Sequence, residues 1–355
     1  MFRLGRKRAA VGLDIGSSAL KAVELRPSGK GFKVVGFATE PVPHDSIVDG
    51  AIVDSGAVAD AIRRLFEAGA FKTKDVVASL SGSAVIAKKI SLPVMTDAEL
   101  AESIYWEAEQ YIPFDVQDVN LDYQILDPGT KADSKGSMDV LLVAAKKDRI
   151  ADYAGVIAQA GRVPVVIDVD AFALQNAYEV NYGARSGGIA VLLNAGASAV
   201  NINIMSGDQS LFTRDISTGG NAYTEAIQRE LGLSFDVAER AKKGEPVEGV
   251  RSEDVRSVLH AVTENLLLEI QKTFDFFKAT ASWDRIDSIL LSGGASAVDG
   301  LAQALEDRFG APVEPFDPFR KIALDPARAG ALGSEGLAQT AAVAVGLALR
   351  RAGDR

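Results

Sequence analysis

Cysteine is absent from the 355 residues, which excludes disulfides, thiolate nucleophiles and Cys-ligated zinc together. Histidine is nearly absent: His44 and His260 are the only two, far apart in the chain. A His-rich metal centre or a Ser-His-Asp triad has almost nothing to build from. No run of about 18 apolar residues escapes interruption by charge, so no membrane span is expected. The basic start, MFRLGRKRAA, lacks the apolar stretch of a secretory signal. Positive charge is in deficit. Lys plus Arg is 38 against 48 Asp plus Glu, a net of −10, which disfavours a nucleic-acid-binding face. What remains is ordinary globular composition, 47% apolar and 24% charged. The length leaves room for two or three domains, and a cytoplasmic protein is expected.

Residues 11–15, 20–25 and 32–39 read as strands, the first two joined by a tight Gly-Ser-Ser turn. From 55 to 68, Val58, Ile62, Leu65 and Phe66 fall at helical spacing, and Gly69 stops the helix. Residues 76–80 read as a buried strand. The texture then changes from Ser83 to about Pro164. Residues 85–91 alternate as a strand does, and Thr96-Asp-Ala-Glu99 is a capping box that opens a helix running to about Tyr111. Residues 120–126 and 138–145 read as paired strands around a polar loop at 129–137. Asp148 is expected to cap a helix ending near Gly161. This block has the pattern of a small α+β module set between two parts of a larger sheet domain. Beyond it, strands are expected at 165–169, 189–193, 199–205 and 286–291. Helices are expected at 171–181, 221–231, 235–243, 255–279, 297–309 and 336–351. Alternation of this kind implies an α/β architecture.

One repeat carries the functional argument. Leu13-Asp14-Ile15-Gly16-Ser17-Ser18-Ala19 aligns with Leu193-Asn194-Ala195-Gly196-Ala197-Ser198-Ala199 at a constant offset of 180 residues. Both follow an apolar strand and precede another, so a duplicated domain is expected. Glycine lets the backbone approach an anion, and successive N–H groups with Ser hydroxyls can cradle phosphate oxygens. Two such turns face to face would clamp a polyphosphate. Taken singly, each is equally an ordinary β-hairpin turn. A third turn, Ser292-Gly293-Gly294-Ala295-Ser296, lies between a strand and a helix, where a ligand can rest on bare backbone.

In this order the three turns resemble those of the actin/Hsp70/sugar-kinase superfamily. Residues 12–18 (GLDIGSS) are similar to its first phosphate motif, 193–198 (LNAGAS) to its second and 291–295 (LSGGA) to its adenosine motif. Residues 168–174 and 341–349 fit its two inter-lobe connecting helices. Residues 239–244 (ERAKKG) resemble the Glu-Lys helix that grips adenosine in Hsp70-like members. The position of the module, and the strings GLDIGSSALKAVEL, GAIVD, QYIPFD, IDVDAFALQNAYE and FTRDISTGGNAYTEAI, resemble the PilM family of type IV pilus assembly proteins, which shares an FtsA-like architecture. FtsA is expected to continue into a C-terminal membrane-targeting helix, whereas this sequence stops after the second connecting helix.

The resemblance implies two actin/Hsp70-like (ribonuclease H-like) lobes around a nucleotide cleft, with an inserted α+β module of the type called 1C. Residues 1–82 and 165–186 are expected in the first lobe and 83–164 in the module. Residues 187–217 and 283–355 are expected in the second lobe, and 218–282 in a helical adenosine-side subdomain. It implies ATP and Mg²⁺ as ligands. Asp14 would hold Mg²⁺ through water; read alone, it is also an Asx-type turn residue. Ser17 and Ser18 would donate to phosphate oxygens. Lys21 is either a phosphate contact or a solvated strand lysine. Gly16, Asn194, Gly196, Ala197 and Ser198 complete the facing turns. Gly219 and Gly220 would approach phosphate or ribose. Gly293, Gly294 and Ala295 would lie along the adenosine. Glu239, Lys242 and Lys243 share a helix, as an adenosine grip or as a surface ion pair. Asp170 is the candidate catalytic acid that positions water, or else a helix N-cap.

Asn194 stands where the superfamily has Asp. An amide adds no negative charge for Mg²⁺, so hydrolysis is expected to be weak or absent, with ATP acting as a conformational ligand. The resemblance further implies that a groove between the module and the first lobe receives the cytoplasmic N-terminal peptide of PilN. Tyr105, Trp106, Tyr111 and Phe114 are read as module core or as peptide anchors. Other inner-membrane and motor components of the pilus machine are expected partners, nucleic acid is not, and membrane contact is indirect. Arg3, Arg6, Lys7 and Arg8 are a solvated tail or a lipid contact. Two other functions remain open at this point: an FtsA-like filament protein and an ATP-dependent small-molecule kinase.

Overall fold

The computed structural model describes residues 9–127, 136–183, 188–280, 285–324, 337–351 and 353. The basic residues before position 9 and most of the 129–137 loop therefore lie outside the described residues. Strands β1 (Val11–Ile15), β2 (Ala19–Ser28) and β3 (Gly31–Pro41) form an antiparallel meander. A small hairpin, β4 (Ile47–Val48) and β5 (Ala51–Ile52), leads to helix α1 (Ser55–Gly69). Asp54 caps α1 by accepting the Ala57 N–H at 2.9 Å. Strand β6 (Asp75–Leu80) then pairs parallel with β1.

The inserted module follows. It consists of β7 (Val85–Pro93), α2 (Asp97–Ala108), β8 (Val119–Asp127) and β9 (Ser137–Lys146), with β9 central in a three-stranded antiparallel sheet. The expected capping box is present at Thr96 and Glu99. Met138, Val140, Leu142 and Ala144 alternate into the module core, where α2 inserts Leu100, Ile104 and Ala108. The chain returns through α3 (Lys147–Gln159) to β10 (Val163–Val169), which pairs parallel with β6, and then enters α4 (Asp170–Tyr182).

The second half repeats the plan. β11 (Ile189–Ala195), β12 (Val200–Ser206) and β13 (Gln209–Ile216) form a meander. Helices α5 (Gly220–Leu231), α6 (Phe235–Lys242) and α7 (Ser252–Thr280) follow. Strand β14 (Ser288–Ser292) pairs parallel with β11, and after α8 (Leu301–Phe309) strand β15 (Val313–Pro315) pairs with β14. With a last strand β16 (Ile322–Ala323), the sheet orders are β10-β6-β1-β2-β3-β16 and β13-β12-β11-β14-β15. Each contains a meander whose first strand is extended by two parallel strands, so the duplication read from the turns extends to whole sheets. No helix among the described residues is long and apolar enough to cross a membrane.

Burial explains why the central strands read as continuous apolar runs. In β6, Val76 and Ala78 face a core shared with α1 and α3, while Val77 faces the opposite way. In β11, Ile189, Val191 and Leu193 face the helices of the second half, while Ala190 and Leu192 face inward. The inward faces of both sheets close on α4 and on the last helices, α9 (Leu337–Thr340) and α10 (Ala342–Leu349). Strands covered on both faces have no polar side to alternate with.

Several boundaries differ from the sequence reading. Tyr153, Val156 and Ile157 of α3 pack in the core of the first sheet, so the inserted module ends near Lys146 rather than at 164. Strand β16 (Ile322–Ala323) pairs with β3, and α10 packs on β1 and α4. The C-terminal segment therefore returns to the first sheet instead of remaining wholly with the second. The α3 N-cap position is Lys146, and Asp148 sits inside the first turn. The helix expected from 297 starts at Leu301, after a 3₁₀ turn at Gly294–Ala297. The short strands β4, β5, β15 and β16, together with β13, went unread in the sequence.

Candidate functional site

The two hairpin turns meet. The Ser17 hydroxyl donates to the Ser198 hydroxyl at 3.0 Å, joining the turn between β1 and β2 to the turn between β11 and β12. Each turn needs its glycine for the same reason. A Cβ on Gly16 would lie 2.9 Å from the Ala19 carbonyl oxygen, and one on Gly196 would lie 2.9 Å from the Ala199 carbonyl oxygen. The hairpin registers match as well. Asp14 stands opposite Lys21, and Asn194 stands opposite Asn201. In the first pair Lys21 Nζ reaches Asp14 Oδ2 at 3.1 Å. In the second, Asn194 Nδ2 donates to Asn201 Oδ1 at 2.9 Å. An ion pair in one half is replaced by an amide pair in the other. Ser18 is exposed, and its carbonyl accepts the Val42 N–H at 3.0 Å.

The third turn and α5 lock onto the second hairpin by backbone contact. Gly220 N and Asn221 N donate to the carbonyls of Gly196 and Ala197 at 2.9 and 2.7 Å. These amides, which a helix N-terminus would offer to an anion, are already used. A Cβ on Gly219 would lie 2.6 Å from the Ala197 oxygen, and one on Gly293 would lie 2.2 Å from the Ala195 oxygen. Gly219, Gly220 and Gly293 therefore hold the second turn in place by close approach. Gly294 is exposed with open space beside it, and Ala295 packs 3.3 Å from where a Gly220 Cβ would be.

On α6, Glu239 and Lys242 pair at 2.5 Å, and Lys243 reaches the other Glu239 oxygen at 3.2 Å. Lys242 also donates to the Gly220 carbonyl at 3.1 Å and to Thr224 Oγ1 at 2.9 Å. Burial favours the neutral form of Glu239. The Lys242 and Thr224 hydrogen bonds and the two lysine charges outweigh it, so its carboxyl sits below the usual range. The helix is thus tied to the start of α5 and, through it, to the second turn.

Asp170 lies at the first position of α4, and the cap position is Val169, which makes no side-chain cap. Instead Asp170 Oδ1 accepts the Ser79 hydroxyl at 2.5 Å. Burial, then the charges of Asp14 and Asp215, push its carboxyl up to about 7, against Ser79 and Ser81 hydrogen bonds that pull it down. Asp215, on β13, is the residue that sequence reasoning missed. Its Oδ1 accepts Asn201 Nδ2 at 2.9 Å and its Oδ2 accepts the Gly82 N–H. Burial raises its carboxyl above the usual range, against both of these hydrogen bonds. The available signal was the alternation Val-Asn-Ile-Asn-Ile in β12, which places two asparagines on the face away from the isoleucine core. Among the described residues no three acidic or histidine side chains converge to ligate a metal directly.

In the module, Tyr111 and Phe114 pack on the core, while Tyr105 and Trp106 are exposed, Trp106 by 73%. Tyr105 lines a 350 Å³ cavity with Val116, Gln117, Val119, Leu121 and Lys147. Lys147, the first residue of α3, is the one lining residue from outside the module, and its Nζ donates to the Gln117 carbonyl at 2.7 Å.

A family model described as type IV pilus assembly protein PilM matches residues 12–352. Among solved structures, the chain is similar to one titled as a PilM-PilN type IV pilus biogenesis complex, with 31% identity over 97% of this chain and 98% of that chain and a TM-score of 0.86. It is also similar to ethanolamine utilization protein EutJ from Carboxydothermus hydrogenoformans, with 15% identity, 96% and 89% coverage and a TM-score of 0.57, a likeness of fold alone. The actin-like two-lobed α/β class expected from the three turns is the class observed.

Proposed function

The chain belongs to the PilM family of type IV pilus assembly proteins, and from that membership we propose that it is an ATP-binding scaffold that docks PilN. The observation that carries the nucleotide half is the meeting of the two glycine turns at Ser17 and Ser198. A phosphate entering there would part that bond and take both hydroxyls as donors. The charge balance favours a metal-bearing phosphate. Lys21 and Lys242 are each already paired with a carboxylate, Asp14 and Glu239, while Asp170 and Asp215 stand near the turns with no lysine or arginine partner among the described residues. A bare triphosphate would be repelled by these acids, whereas Mg²⁺ between acids and phosphate offsets both. With no direct set of three ligands among the described residues, Asp14 would hold the ion through water. Asn194 withholds the second charge, so we assign the nucleotide to lobe closure rather than turnover.

Mg-ATP should raise the melting temperature, with a stabilisation of about 2.7 kcal/mol at a hundredfold excess over Kd. Asp14→Ala and Gly16→Val should remain folded and lose that shift. An undiminished shift in both variants would remove the phosphate site from these turns.

For the partner, the relative at 31% identity, solved as a complex with PilN, supports the same partner here. We place the N-terminal segment of PilN in the cavity beside Tyr105 and Lys147, where an aromatic wall and backbone edges suit an extended peptide. Membrane contact would then be indirect, through PilN and its inner-membrane neighbours. A labelled PilN N-terminal peptide should bind saturably, and Tyr105→Ala should weaken it roughly tenfold, as loss of an aromatic anchor does. Unchanged affinity in that variant would move the peptide elsewhere.

A further inference from the structure

We propose that Asp215 couples the second hairpin turn to the mouth of the inserted module, through a hydrogen-bonded chain running Ser292, Asn194, Asn201, Asp215, Gly82. This goes beyond the nucleotide reading and rests on it only for what would perturb the Asn194 end. Each link is present. Ser292 Oγ donates to Asn194 Oδ1 at 3.3 Å, Asn194 Nδ2 to Asn201 Oδ1 at 2.9 Å, and Asn201 Nδ2 to Asp215 Oδ1 at 2.9 Å. The Gly82 N–H closes the chain on Asp215 Oδ2.

The chemistry permits one orientation. An ionised carboxylate only accepts, so Asn201 must turn its amide nitrogen towards Asp215 and its oxygen towards Asn194. Asn194 must then present its own nitrogen to Asn201. Rotating either amide sets donor against donor, or acceptor against acceptor, at the next link. A flip at Asn194 or Asn201 therefore breaks the link to its neighbour, so the orientation of one amide constrains the next.

Its far end is well placed. Gly82, at φ +69°, is where the chain leaves β6 and enters the module through the 3₁₀ turn Gly82–Ala84. Two residues before Asp215, Thr213 Oγ1 donates to the Ala87 carbonyl on β7 at 3.4 Å. Strand β13 thus holds the module at two points. Asp215 forms no ion pair among the described residues, so its charge is met by the Asn201 and Gly82 hydrogen bonds that make up the chain.

The test is amide hydrogen exchange of the full chain over residues 81–92, without ligand. Asp215→Asn should speed exchange at Gly82 by about tenfold, the loss of one charge-assisted bond. Asn194→Asp keeps the side-chain shape but sets an acceptor against Asn201 Oδ1. It should speed exchange at the same amide although it does not touch Gly82, and Asn201→Leu should do likewise. Unchanged exchange at Gly82 in both distant variants would overturn the coupling, whatever happens near each substitution. A second arm adds a magnesium complex of a non-hydrolysable ATP analogue. At concentrations that saturate each protein, it should alter exchange at 81–92 in the parent and leave it unaltered in Asp215→Asn. An equal response in Asp215→Asn would overturn the coupling. Failure of the parent to bind nucleotide would sink the phosphate-site reading, while the ligand-free arm would still decide this inference.

Discussion

Gly346→Ala is expected to destabilise the protein by about 3 kcal/mol or more, although the same change in an open helix stabilises by about 0.5–1 kcal/mol. A Cβ at Gly346 would lie 1.7 Å from the Ala173 carbonyl oxygen and 2.4 Å from its carbon. Both belong to the backbone of α4, so no side chain can swing aside. Helices α10 and α4 would have to separate within the core shared by the two sheets, where Ala177, Leu174, Val345 and Leu347 are fully or nearly fully buried. Gly155 is the internal control. It is exposed in α3, and a methyl group there would meet nothing within 4 Å, so Gly155→Ala should gain the ordinary helical increment. Chemical denaturation of both variants reads the two signs directly. A Gly346→Ala protein as stable as its parent would mean that the helices do not cross this closely.

The crossing also sets the site. Helix α4 begins at Asp170, beside the first lobe's Ser79, and the Gln339 carbonyl just before α10 accepts the Gly293 N–H of the third turn at 3.1 Å. The α4–α10 crossing, with α9 leading into it, therefore sets the acid of one lobe near the third turn of the other. Separation of α4 from α10 should weaken any ligand that bridges the lobes, as well as the fold.

The parts of this arrangement that sequence revealed were those with local causes. The Thr96–Glu99 box, the glycine turns and the period of α1 are each complete within a few residues. The 180-residue repeat was legible because the same steric demand, a glycine against the carbonyl three residues on, acts twice. Features set by distant partners were not. Strand β16 has two residues and exists only because β3, nearly 300 positions earlier, offers it an edge. The amphipathic residues of α3 declared a helix but not which sheet would receive Tyr153 and Ile157. Asp215 sits in the ordinary string Thr-Arg-Asp-Ile, and only the β12–β13 register, which sets it opposite Asn201, gives it a role. Likewise Gly219 and Gly293 looked like ligand-facing glycines in sequence, yet in space they face backbone.

Asp170→Asn is expected to stabilise the protein above pH 8 by a few kcal/mol at most, and to lose that advantage as pH falls. Burial and the neighbouring Asp14 and Asp215 charges raise the carboxyl from the ordinary 3.8 to about 7 in the folded state. Between those two values the unfolded chain has released this proton while the folded chain still holds it. The folded state therefore loses stability as pH rises through that window, and above about 7 the full cost of an ionised Asp170 is present. Asparagine keeps an oxygen for the Ser79 hydroxyl and carries no charge, so it removes the cost without removing that bond. Below about pH 4 both proteins are neutral at this position and should unfold alike. Asp14→Ala tests the assigned cause, because removing the like charge should move the midpoint of the pH effect downward. Parallel stability curves for the parent and Asp170→Asn from about pH 5 to 9 would show that the carboxyl titrates in its usual range.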